Sequence, residues 1–177
     1  TALLDAVWQP QASVVCGCGG GAAVAATLPR LLSSATTLVL DADALNALTT
    51  DEALQRQLTH RHARGWVTVL TPHPLEAARL LGCSTAEIMA DRLQAARNLA
   101  DRFQCVCVLK GSGTVVTAPR EIARINPTGN AALSTAGTGD VLAGMVGAAL
   151  AGPTASLGEV LDRVCSAVFQ HGWLADQ

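Results

Sequence analysis

Four short apolar runs constrain this chain more than any other feature. They are Ser13-Val14-Val15-Cys16, Thr37-Leu38-Val39-Leu40, Val67-Thr68-Val69-Leu70 and Cys105-Val106-Cys107-Val108-Leu109. Each ends at a glycine or a polar motif and is separated from the next by a helical stretch. Runs that are apolar nearly throughout suit strands buried on both faces, and parallel strands need crossover connections, usually helices. The pattern predicts an α/β fold: a mainly parallel sheet flanked by helices on both faces, in three layers.

Helices are expected over an Ala-rich segment after Gly21, then Asp51 to Arg61, Leu75 to Leu81, Asp91 to Phe103, Asp140 to Ala151 and Ala155 to Leu174. The last carries Leu157, Val160, Leu161, Val164 and Val168 on one stripe. Thr114–Thr117 and Glu121–Ile125 read as a hairpin-type pair at a sheet edge. With 177 residues, half of them hydrophobic and 15% charged, the chain is expected to form a single folded domain over residues 1–177. Aromatics make up only 3%, so the core must come from Ala, Val and Leu.

A net charge of -2 gives no footprint for nucleic acid and no basic face for a membrane. No apolar run reaches the length of a membrane span. Thr1 to Pro10 lack the basic and apolar regions of a signal peptide. The expected setting is cytoplasmic, and the expected assembly a homo-oligomer. The six cysteines form no C-x-x-C knuckle, and no His pair lies nearby. They read as small buried thiols, with Cys16/Cys18 and Cys105/Cys107 each split between opposite faces.

In parallel sheets, ligands bind beyond the carboxyl ends of the strands. The motifs Gly17–Gly21, Asp41–Asn46, Thr71–Glu76 and Lys110–Thr114 each follow a strand, so they should gather along one sheet edge. Gly17-Cys18-Gly19-Gly20-Gly21-Ala22 with Asp41 fits a dinucleotide fingerprint, a plain strand-to-helix turn, or a ligand-approach loop of another fold. Asp41 and Asp43 either order water or Mg²⁺ or cap the next helix. Two prolines stiffen the turn that presents His73. Lys110-Gly111-Ser112-Gly113-Thr114 lacks the Walker order, yet one cation among small and hydroxyl residues suits phosphate. Gly137-Thr138-Gly139-Asp140 opens an apolar helix, whose first amides and positive dipole end suit phosphate as well. An N-cap role would account for Asp140 but not for the glycines and threonines around it.

Together these residues resemble the ADP- or ATP-dependent NAD(P)H-hydrate dehydratases of the ribokinase-like superfamily. The matching strings are Gly17-Cys18-Gly19-Gly20-Gly21, Leu40-Asp41-Ala42-Asp43-Ala44-Leu45-Asn46, Leu70-Thr71-Pro72-His73-Pro74 with Glu76, Leu109-Lys110-Gly111, Thr128-Gly129-Asn130, Gly137 to Gly144, and His171-Gly172. Leu75 stands where the family has glycine, and Cys18 and Gly20 where it has proline and leucine. The family's domain also has further elements before the point where Thr1 stands. The resemblance implies a ribokinase-like fold and repair of hydrated NADH or NADPH (NADHX, NADPHX). ADP or ATP would be co-substrate, with Mg²⁺. It implies Asp140 as catalytic base, and Lys110, Gly111, Ser112, Gly113, Thr114 and Gly139 around the nucleotide. Gly137, Thr138 and Gly139 would form the anion hole. Gly19, His73, Asn46 and Asp140 would hold the hydrate, and Asp41 a metal through water. The alternatives are a ribokinase-like kinase for a vitamin precursor or sugar, a nucleotide-binding fragment with impaired catalysis, and a Rossmann dehydrogenase.

Overall fold

A computed structural model describes residues 12–154 and 156–177. The reading of Thr1 to Pro10 and the placing of a helix start at Ala155 fall outside the described residues. Strands β1 (Ser13–Cys16), β2 (Thr37–Leu40), β3 (Val67–Leu70), β4 (Val106–Leu109), β5 (Val115–Thr117) and β6 (Arg124–Ile125) form one sheet in that spatial order. β1 to β4 are parallel, with Ser13 opposite Thr37 and Thr37 opposite Val67. β5 and β6 run antiparallel, forming the expected edge hairpin.

The helices are α1 (Ala23–Ser34), α2 (Ala42–Thr50), α3 (Glu52–Ala63), α4 (Pro74–Leu81), α5 (Thr85–Ala90), α6 (Arg92–Phe103), α7 (Thr138–Ala149) and α8 (Leu157–Ala175). A 3-10 turn covers Ala131–Ser134. Helix α5 was not foreseen. It is six residues long and rests on a capping box in which Ser84 and Glu87 exchange side-chain and backbone hydrogen bonds.

Strand periodicity divides the core in two. Leu38, Leu40, Leu70, Cys107 and Leu109 face the layer built by α1 to α6. Val39, Val69, Val106 and Val108 face α7 and α8. That is the three-layer arrangement predicted, with leucines on one side of the central strands and valines on the other. On the α8 stripe, Val160, Leu161, Val164 and Val168 are buried, whereas Leu157 is 37% exposed at the helix start. Helix α7 lies so close to β1 that a Cβ on Gly147 would sit 2.4 Å from Val15 Cγ2.

The structure corrects the cysteine reading. Residues two apart in a strand share a face, and Cys105 and Cys107 both sit in the leucine-side core. Cys18 is exposed, while Cys16, Cys83 and Cys165 are only partly buried. Arg61 is the one charged residue at the far end of the sheet that is fully buried among the described residues. It donates to the Leu32, Ala35 and Val67 carbonyls and to Thr68 Oγ1, joining α1 to β3. Burial pushes its guanidinium down to about 10, still charged at neutral pH.

Candidate active site

The carboxyl ends of β1 to β4 bring four loops together. The first leaves β1 through Gly17, whose φ is +121°; a Cβ there would lie 1.8 Å from the Asp41 carbonyl oxygen. Only glycine fits that approach. The Gly21 amide donates to Asp43 Oδ2 at 2.7 Å, so Asp43 ties the glycine loop to the end of β2.

Asp41 occupies the cap position of α2 but makes no capping bond through its side chain. The next residue, Ala42, has φ +41°, a strained turn of the kind found at functional sites. Asp41 Oδ1 instead accepts from Lys110 Nζ at 2.7 Å, across 69 positions of sequence. The Asp41 side chain is 2% exposed and that of Lys110 18%, so the pair forms the floor of the site. Beside it, a Cβ on Gly139 would sit 3.3 Å from Lys110 Nζ and 3.9 Å from Asp41 Oδ2.

His73 closes the third loop as the cap of α4. Its Nδ1 accepts from the amides of Leu75 and Glu76, which leaves the ring proton on Nε2. The buried Glu76 carboxylate accepts from the His73 amide at 2.8 Å, completing a capping box with Pro74 at the first helical position. Asn46 Oδ1 is engaged as well, accepting from Arg79 Nη1 at 3.0 Å.

Gly137, with φ +90°, starts α7, which places Asp140 three positions into the first turn and not at the cap. The amides of Gly139 and Asp140 have no acceptor inside the helix, as expected for a first turn. Thr138 Oγ1 turns back to the Leu133 and Thr135 carbonyls, bracing the entry. Cys18, Asp41 and Asp140 converge, with one donor atom from each within 4.8 Å of the others. The Cys18 thiol is pushed up to about 11, first by desolvation, then by the charges of Asp41 and Asp140 and by its hydrogen bond to Asp140.

A cavity of about 440 Å³ opens beside Lys110 and Gly139, with Gly113, Thr128, Thr138 and His171 in its wall. All five residues of Lys110–Thr114 line it, together with Thr138 and Gly139. Gly19, Asn46, His73 and Asp140 do not. A larger cavity of about 560 Å³ lies between β6 and α8, but it holds neither Lys110 nor Asp140, and its Arg124 and Asp162 are paired with each other.

Sequence reasoning missed Thr128, Asn130 and His171 as wall residues, although their strings stood among the matching motifs. The Thr128–Asn130 loop is held by the end of α8. Gly129 N donates to Asp176 Oδ2 at 2.8 Å, and Thr128 Oγ1 lies 2.9 Å from the Phe169 carbonyl. Gly172 permits this contact, since a Cβ there would come within 2.3 Å of Thr128 Oγ1 and 2.7 Å of its backbone. His171 Nε2 reaches the Thr138 carbonyl at 2.9 Å, linking α8 to the start of α7.

A family model described as NAD(P)H-hydrate dehydratase matches residues 8–177. The ADP-dependent (S)-NAD(P)H-hydrate dehydratase of Neisseria meningitidis serogroup B is 44% identical over 92% of this chain and 53% of its own length. A bifunctional NAD(P)H-hydrate repair enzyme of Escherichia coli is 45% identical over 78% of this chain and 24% of its own. A solved structure of the ADP/ATP-dependent NAD(P)H-hydrate dehydratase of Bacillus subtilis, co-crystallised with ATP/Mg²⁺ and soaked with CoA, superposes with a TM-score of 0.70. It is 32% identical, over 92% of this chain and 58% of its own. A ribokinase-like superfamily protein of Enterococcus faecalis, 22% identical, shares the fold with a TM-score of 0.70 over 93% of this chain and 54% of its own. The chain spans about half the length of the first of these relatives and less of the second.

Proposed function

The chain belongs to the NAD(P)H-hydrate dehydratase family, and on that premise we propose that it carries the nucleotide half-site and the base of a nucleotide-dependent dehydration of hydrated NADH or NADPH. The observation that carries this reading is the convergence of Asp140 on Asp41, whose ion-pair partner Lys110 lines the Lys110–Thr114 cavity.

In the proposed reaction the terminal phosphoryl of ADP or ATP passes to the ring hydroxyl of the hydrate. An O–P bond forms there, and the P–O bond to the nucleotide breaks. Asp140 takes the hydroxyl proton, a role worth roughly 10²–10⁴-fold. Phosphate then leaves with the electrons of the C–O bond. A neighbouring ring carbon gives up a proton, and the double bond of the reduced nicotinamide returns.

The amides of Gly137, Thr138 and Gly139 are the anion hole in this reading; their place at the start of α7 supports it for Gly137 and Gly139, while the Thr138 amide donates to the Thr135 carbonyl at 3.4 Å and would have to leave it. Lys110 to Thr114 and Gly139 hold the nucleotide, supported by the cavity they line. Gly19 and His73 meet the hydrate, with Asn46 and Asp140 nearby. Mg²⁺ takes hard oxygen ligands. Asp41 and Asp140 offer such oxygens close together and fit an ion held through water, while the soft Cys18 thiol beside them suits it less. When bound with the nucleotide, the ion neutralises phosphate charge.

Asp140→Asn should keep ADP binding, measured by calorimetry, and lose turnover of hydrated NADH by at least about 100-fold. Near-normal turnover in that variant would remove Asp140 as the base. A stable phosphate ester, in place of restored reduced-nicotinamide absorbance, would make the activity that of a kinase.

A further inference from the structure

Arg92 has no part in the reading above and drew no attention in the sequence. It is the first residue of α6, placed there by Asp91, whose side chain caps the Gln94 amide at 2.9 Å. Its guanidinium reaches across to the loop after β4. Nη1 donates to the Ser112 carbonyl, and Nη2 to the carbonyls of Leu109 at 3.2 Å and Lys110 at 3.4 Å. The buried Nε has no partner among the described residues, so these carbonyls alone orient the fork. Gly111 makes room for it: φ is +146°, and a Cβ would sit 2.9 Å from Nη2.

The peptide geometry gives these contacts a direction. In a trans peptide the carbonyl and the following amide point opposite ways. Carbonyls of Lys110 and Ser112 that turn toward Arg92 therefore turn the amides of Gly111 and Gly113 away from it. Neither amide donates to another group among the described residues, and both glycines line the 440 Å³ cavity. Two free amides, two positions apart and beside an ammonium, suit an anion. The Lys110 amide is spoken for, donating to the Pro72 carbonyl at 2.8 Å.

We propose that Arg92 is the positioning residue of this site: it fixes two peptide planes of the Lys110–Thr114 loop so that the Gly111 and Gly113 amides face a phosphate-bearing ligand. The proposal rests on the nucleotide reading for the identity of that ligand and on the hydrogen-bond geometry for the role of Arg92. An ammonium cannot span three carbonyls as a planar fork does, so Arg92→Lys keeps the charge and loses the clamp.

The test combines two readouts. Backbone ¹⁵N relaxation on the unliganded protein should give Gly111 and Gly113 order parameters of about 0.85 in the wild type and below about 0.6 in Arg92→Lys. Calorimetry should show ADP affinity falling at least about 10-fold in the variant. Steady-state kinetics should raise the nucleotide KM and spare kcat. Gly111→Ala, which leaves Arg92 in place and pushes the loop off it, should reproduce both losses and covers the case of an Arg92 variant that does not fold. Unchanged order parameters, or an unchanged ADP affinity, would overturn the proposal. A wild type that binds no ADP would instead sink the nucleotide reading, and the order parameters would then decide the hold of Arg92 on the loop by themselves.

Discussion

Replacing Lys110 by Met should destabilise the protein far more than replacing both members of its ion pair. Lys110 Nζ lies 2.7 Å from Asp41 Oδ1, and no other side chain among the described residues donates to that carboxylate. The Met variant strands a carboxylate whose side chain is 2% exposed. Losing one partner of a buried pair costs about 3–5 kcal/mol. Water can follow the partly exposed Lys110 stem into the gap, so the low end, about 3 kcal/mol, is expected. With a urea m-value of about 2 kcal/mol/M, the unfolding midpoint should fall by about 1.5 M. Asp41→Asn alone leaves an ammonium that can swing to solvent and an amide that still accepts, at a cost of about 1 kcal/mol. The double variant should resemble Asp41→Asn, giving a coupling energy of about 3 kcal/mol. Far-UV circular dichroism through urea titrations of the four proteins measures this, provided each unfolds in two states. Effects that add to within about 0.5 kcal/mol would refute the buried-pair account. Stability and function should also separate: the double variant regains stability, yet its nucleotide binding stays weak because the cation is gone.

Two further outcomes follow from contacts at the site. Gly172→Ala should drive the Thr128–Asn130 loop off α8, because the new methyl meets backbone at 2.7 Å; ADP affinity should drop by at least about 10-fold, and a wild-type affinity would show that the loop adapts. Cys18 should resist iodoacetamide despite its exposure. Partial desolvation of the thiol and its negative neighbours both favour the neutral form, so the thiolate forms only as pH rises toward about 11. Peptide-level mass spectrometry should find the alkylation midpoint there, and Asp140→Asn should lower it; a midpoint near the ordinary value of about 8.5 would refute the contact.

The layers and the site edge were legible because they rest on short-range signals. An apolar run such as Val67–Leu70, closed by Thr71-Pro72-His73-Pro74, states both the strand and the point where it ends. His73 as a cap was also readable, since Pro74 and Glu76 stand where a capping box needs them. Other features depend on pairs that only the fold brings together. Asp41 and Lys110 were assigned separate tasks, metal and nucleotide, and nothing local marks them as the ion pair they form. Arg92 lies 20 residues from Ser112, with nothing local to mark its target. Cys18 shows the same limit: as a sequence element it read as a small thiol, and only the turn at Gly17 sets it against Asp140. Helix α5 was missed because six residues give too little periodicity to register.

The division of the sheet into leucine and valine faces bears on how Asp140 can move. Valine is confined to few χ1 states, so Val39, Val69, Val106 and Val108 give α7 and α8 a bed that cannot repack by rotamer exchange. The leucine side has more such freedom. A displacement of Asp140 that carried α7 with it would have to slide over that floor, where Gly147 lies tight against Val15. The valine face thus sets where the start of α7 stands, and from there the Asp140 side chain alone sets the reach of its carboxylate.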